Sequence, residues 1–191
     1  MRFTMLFASL FAVTSFTYGA MIFWTLPAIS VGADGLVPFD LRPLGYSYEE
    51  AHAFLSALTP SARSIYLGPQ RLLDMLFPGS IALTLCLAFN RLQSGSGSLI
   101  GMGLSLGGAT ADYFENMAVV KLLQTPGPPS VVLVGQANQW AVLKSVLLFL
   151  ALVLLLVLAS IYVRQLLQDV RRVRSKNERN PNSNMPIMNR L

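Results

Sequence analysis

The chain has 191 residues, 53% of them apolar and only 12% charged, against roughly 25% charged in ordinary soluble domains. The length suits one domain. The formal charge of +5 is carried by the C-terminal end, where Arg164, Arg171, Arg172, Arg174, Lys176, Arg179 and Arg190 gather, so no basic face for nucleic acid exists elsewhere.

Cys86 is the only cysteine. One thiol excludes an intrachain disulfide, a CxxC redox pair and a cysteine zinc site, and with them a quinone-linked thiol oxidoreductase. The apolar residues fall in long blocks that are apolar all round, as lipid demands, rather than on one helical face.

In chain order, the first uncharged run goes from Phe3 to Ala33. It continues through Ile22, Phe23 and Trp24, too long for the apolar region of a signal peptide, so a retained transmembrane helix over 3–31 is expected. A loop over 32–70 follows. Ser47 with Glu50 makes a capping box ahead of a short helix. Thr59 with Pro60 opens a second one, since proline suits the first helical position. Ala53, Phe54, Leu58, Ile65 and Leu67 give both helices an apolar face, so they are expected as short surface helices that lie on the bilayer or cap the bundle, and Asp40–Tyr46 reads as a turn-rich lead-in.

A second span is predicted over 71–91, carrying Asp74 and bent at Pro78. A third covers 98–122 and carries Asp112 and Glu115. After the turn Pro126–Pro129, Ser130 is placed to cap a last span over 131–163. Beyond it, Leu166, Leu167, Val170 and Val173 recur at helical spacing while arginines take the other faces. That pattern predicts a basic amphipathic extension on anionic lipid, where each basic residue contributes about 1 kcal/mol. A flexible tail is expected over 176–191.

The expectation is therefore an all-α bundle of four transmembrane helices within a single domain, 1–175. Arg2, Arg91 and the basic tail alternate with segments poorer in Lys and Arg. By the positive-inside rule both termini and the turn Ser94–Ser98 face the cytoplasm, while the 32–70 loop and the Pro-rich turn lie outside. The arrangement suits a bacterial inner (plasma) membrane.

An ionisable side chain within a span marks a functional site or a staple, because it is costly to leave unpaired. Asp74, Asp112, Glu115 and Lys144 are such residues, with Asn116 and Asn138 nearby. By helical rise Asp112 lies roughly 15 Å and Lys144 roughly 20 Å below the external ends of their helices. Gly101, Ser105, Gly108, Asp112 and Glu115 follow steps of three and four, which places them on one stripe. The pairs Gly97/Gly101 and Gly103/Gly107 have the spacing that lets membrane helices approach closely. No third glycine, preceding strand or Lys-Ser/Thr makes them a nucleotide site.

As a staple, Lys144 pairs with Asp112 or Glu115, and Arg71 with Asp74. As a site, Asp112, Glu115 and Asp74 are candidate catalytic acids, with Asn116, Lys144, Arg71 and Asn138 as binding residues. Two carboxyls in unlike surroundings suit acid/base work. One histidine, His52, and dispersed acids make a poor ligand set, so neither a metal nor another cofactor is expected. No G-x-S-x-G elbow is present, which disfavours a serine hydrolase.

The set Asp40-x-Arg42-Pro43-x-Gly45-Tyr46, Tyr66, Leu73-Asp74-x-x-Phe77-Pro78, Asp112-x-x-Glu115-Asn116 and Lys144 resembles small four-helix integral membrane proteins of uncharacterised type. The resemblance covers most of the chain from the first loop onward and implies the same spans and polar residues, with no activity attached.

The first functional expectation is a non-enzymatic accessory or assembly subunit, packed against other membrane protein subunits or a second copy. The alternative is a membrane enzyme or lipid-binding protein that uses Asp112 and Glu115 on a lipid-like substrate. A proton-coupled small transporter, working as an oligomer, comes third, since four helices without an inverted repeat are few for a carrier.

Overall fold

A computed structural model describes residues 2–92 and 95–179, with side chains for 3–92 and 95–172. All regular structure among them is helical. Helix α1 (Arg2–Ala20) passes through a widened turn at Met21–Thr25 into α2 (Leu26–Val31). Pro27 lies at the start of α2 and has no N–H for the regular ladder, and the wide turn just before it absorbs the mismatch. The two helices form one rod, Phe3–Val31, of 29 residues.

The loop that follows is folded. Ser47 caps α3 (Tyr48–Ala57) with both bonds of the capping box formed. Thr59 caps α4 (Pro60–Ile65) through the Ala62 N–H, with Pro60 in the first turn. One expectation is corrected here. Helix α4 is not a separate surface helix, because the wide turn Tyr66–Gln70, which contains Pro69, carries it straight into α5 (Arg71–Leu92). Pro60–Leu92 is thus one rod of 33 residues, and the loop ends about ten residues earlier than the sequence suggests.

Helices α6 (Ser96–Gln124) and α7 (Val131–Arg179) complete the fold. Ser130 caps α7, its Oγ accepting from Leu133 N at 3.4 Å. Helix α6 packs between α5 and α7, and α1 lies against α5. Of the described helices, three are long and apolar enough to cross a membrane: Phe3–Val31, Pro60–Leu92 and Val131–Arg172. Helix α6 has the length, about 43 Å for its 29 residues. Its apolarity is diluted by Asp112, Glu115, Lys121 and five glycines, so the third predicted span lacks the hydropathy of the other three.

Two cores hold the bundle. At the loop end Leu26, Ile29, Phe39, Phe54, Tyr66, Leu122 and Leu123 are almost fully buried. The Phe39 ring meets Tyr46 at 4.9 Å and Phe54 at 5.0 Å between centroids. At the other end Leu85, Phe89, Ala151 and Leu158 form a smaller core. Outside these cores Phe16, Phe23, Leu72, Leu99 and Leu156 are largely exposed, an apolar girdle far larger than soluble monomers tolerate. The chain has the helices of a membrane protein.

Helix α7 runs on to Arg179, past the boundary expected at 175. Leu166, Leu167 and Val170 are exposed along it, so no part of the described fold covers its apolar side. The remainder of the predicted tail, residues 180–191, and residues 93–94 lie outside the described residues, and the turn expected over Ser94–Ser98 is shorter, since α6 already begins at Ser96.

Candidate functional site

The site is assembled around a missing backbone hydrogen bond in α5. Pro78 is buried inside the helix and has no N–H to give to the carbonyl four residues back, that of Asp74. In lipid such a carbonyl needs another donor. Helix α6 supplies it: Asn116 Nδ2 donates to Asp74 O at 3.3 Å. One step along, Tyr113 Oη donates to Met75 O at 3.0 Å. These two bonds set the register of α5 against α6 and bring Asp74 level with Asn116.

Behind them lies the charged centre. Lys144 Nζ reaches Asp112 Oδ1 at 3.1 Å and Glu115 Oε2 at 2.7 Å. Asn116 Nδ2 also donates to Asp112 Oδ1 at 3.3 Å. The stripe read from the sequence is the buried face of α6, with Ser105, Asp112 and Glu115 all at or below 5% exposure. Gly101 and Gly108 are the close-approach points, because a Cβ there would strike the Phe89 ring and Leu148. Gly103 meets nothing within 4 Å, so the Gly103/Gly107 spacing is not spent on packing within this chain at Gly103.

The expected Arg71–Asp74 pair does not form. Asp74 Oδ1 instead accepts from Gln70 Nε2 at 2.8 Å, and Gln70 Oε1 accepts from the Thr25 hydroxyl. The wide turns at Met21–Thr25 and Tyr66–Gln70 thus join through this pair. Sequence reasoning missed Thr25 and Gln70. The signal available was the paired prolines, Pro27 and Pro69, each beside a polar residue within an apolar run.

The loop closes the top. Gly45 has φ +90° and packs so tightly on Asn138 that a Cβ would collide with its side chain. Tyr46 N donates to Asn138 Oδ1 at 2.8 Å. Asn138, a candidate binding residue, is therefore the anchor of the loop on α7. Tyr66 donates its hydroxyl to Asp40. Arg42 donates to Val37 O at 2.9 and 2.7 Å and lies 3.8 Å from Glu50.

Among the described residues Tyr46 Oη and Glu115 Oε1 are buried without a hydrogen-bond partner, and Glu115 Oε2 has only its ion pair with Lys144. Burial first, and then the carboxylates Glu115 and Asp40, push the Tyr46 phenol well above its usual range. At the exposed start of α3, hydrogen bonds from its own backbone N–H and from Ser47 hold Glu49 below the usual carboxylate range.

Two spaces adjoin the centre. The first is small, about 70 Å³, and is lined by Asp40, Asp74, Asp112 and Lys144 with Tyr18 and Pro78 among its apolar walls. It has room for a few waters, and three carboxyls and one ammonium line it, the ammonium in contact with Asp112 alone of the three. The second is a groove of about 660 Å³ between α5 and α6, lined by Asp74, Asn116, Met75, Met117, Val120 and Arg71 among others. That size is usual for a small-molecule site. Asp74 lines both spaces, whereas Asp112 and Glu115 do not line the groove.

Among the described residues no three His, Cys, Asp or Glu side chains come together as metal ligands. His52 stacks on Tyr48 at 6.0 Å between ring centroids, in the loop. No protein-family model, curated protein or solved structure is found to match the chain.

Proposed function

We propose that the chain is a four-span membrane protein that binds a lipid-like molecule in the groove between α5 and α6. In this reading α6 crosses the bilayer as the central helix, its acids compensated by Lys144 and its small residues by close neighbours. The termini face the cytoplasm, as the basic tail favours. The observation that carries the reading is the groove, mostly apolar along Met75, Met117 and Val120 yet ending on Asp74 and Asn116. A space with that lining fits a molecule with an apolar body and a polar part. Asp112, Glu115 and Lys144 form the wall that keeps Asn116 and Asp74 in place, and Asp74 is the acid that a bound molecule would meet.

Native mass spectrometry of the protein released from mild detergent tests this. A lipid-sized mass should stay bound to the wild-type chain and be lost in Val120→Trp, which fills the groove. A chain that emerges bare at every activation energy contradicts the reading.

The second reading is the accessory subunit, favoured by Gly103. This glycine is exposed on α6, one helical turn from Gly107, a spacing that accepts another membrane helix. Copurification with a larger complex would support it, and isolation as a stable, partner-free monomer would count against it.

A further inference from the structure

The cations at the loop end of the bundle divide into two sets. Lys144 is held by Asp112 and Glu115. Arg42 is held by Val37 O and Glu50, and Arg63 donates to the Leu123 and Leu55 carbonyls. Arg71 and Lys121 line the groove between α5 and α6, and both are exposed. Neither side chain has a hydrogen bond or ion pair within the described residues.

Their height follows from the register already given. The bonds Met75 to Tyr113 and Asp74 to Asn116 run the two helices antiparallel. Arg71 and Lys121 therefore stand on facing walls, roughly 5 Å beyond Asp74 and roughly 8 Å beyond Asn116 along their helices. Two unpaired cations flank the mouth of a groove whose lower walls are Met75, Met117 and Val120.

We infer that the groove selects a phospholipid with an anionic headgroup, its phosphate between Arg71 and Lys121 and an acyl chain along Met75, Met117 and Val120. This rests on the lipid-binding reading and names the class of molecule. A guanidinium and an ammonium on two sides of one opening suit a phosphate oxyanion, with the arginine able to donate twice. A headgroup bearing its own cation, such as choline, would set a quaternary ammonium beside them and lose part of that attraction. The groove opens sideways between helices, so the acyl chain need not leave the bilayer.

The test compares phosphatidylglycerol with phosphatidylcholine, titrated onto the full-length protein in detergent and counted by native mass spectrometry. Wild type should prefer phosphatidylglycerol by about thirtyfold, the order expected for two basic contacts. Arg71→Gln/Lys121→Gln should bring the ratio near one with the unfolding midpoint unchanged. Arg171→Gln/Arg174→Gln, in the basic tail, should keep the preference. An equal affinity of wild type for the two lipids overturns headgroup selection. So does a preference that survives in the groove variant and disappears in the tail variant. If neither lipid stays on the wild-type chain, the lipid-binding reading itself fails.

Discussion

Lys144 is one ammonium between two buried carboxylates, and its removal leaves both without a cation. Breaking such a pair costs about 3–5 kcal/mol, while replacing the whole set by neutral groups costs far less. Lys144→Met should therefore lower the unfolding midpoint in detergent sharply. Adding Asp112→Asn and Glu115→Gln to it should recover most of the loss. Wild-type stability in Lys144→Met alone would show that the network contributes little.

Tyr46 behaves in the opposite way, because its buried hydroxyl has no partner. Deleting an unsatisfied group is nearly neutral or stabilising, so Tyr46→Phe should be at least as stable as wild type at pH 7. Its phenol is held protonated in the fold, above the ordinary value of 10.0. The folded state then binds more protons than the unfolded chain as pH climbs past that value, and stability falls. Denaturant unfolding between pH 9 and 11 should show wild type losing stability and Tyr46→Phe losing less (about these values, set by the ordinary phenol range).

At the scale of the helix, Pro78 and Asn116 form a single device. Asn116→Leu removes the donor from both Asp74 O and Asp112 Oδ1 and should cost about 1 kcal/mol, the usual size for a polar contact between membrane helices. The glycines give a paired comparison on one helix. Gly101→Ala drives a methyl into the Phe89 ring and should cost about 1–3 kcal/mol. Gly103→Ala meets nothing and should change thermal stability by less than about 0.5 kcal/mol. A swap of these two effects would mean that α6 faces the other way.

The helix starts at Ser47, Thr59 and Ser130 were legible because capping is local chemistry, settled within four residues. The buried stripe of α6 was legible for the same reason, since period alone places Asp112 and Glu115 together. The fusion of α4 to α5 was not. Pro69 reads as a stop, and only the widened turn, joined by Gln70 to Thr25 on another rod, lets the helix continue. Arg71 was misassigned on the same account, since a contact three residues away looked sufficient for Asp74. Its true partner, Gln70, is set by how the rods meet.

Over the whole molecule, the arrangement makes sense only with lipid outside and polar groups inside. Residues such as Phe16, Phe23 and Leu156 face outward, while Asp40, Asp74, Asp112 and Lys144 surround a small interior space. All four spans were read from the sequence, and three of the rods have the hydropathy of a span while α6 falls short of it; its polar groups are met by its neighbours rather than by its own composition. That helix is where the account is most exposed. If it crosses the bilayer, its two ends lie on opposite sides. In a Cys86→Ala background, single cysteines at Ser96 and at Pro128 can be labelled in intact cells with a membrane-impermeant maleimide. Pro128→Cys should react from outside and Ser96→Cys only after the membrane is permeabilised. Equal labelling of the two from one side would contradict a four-span bundle.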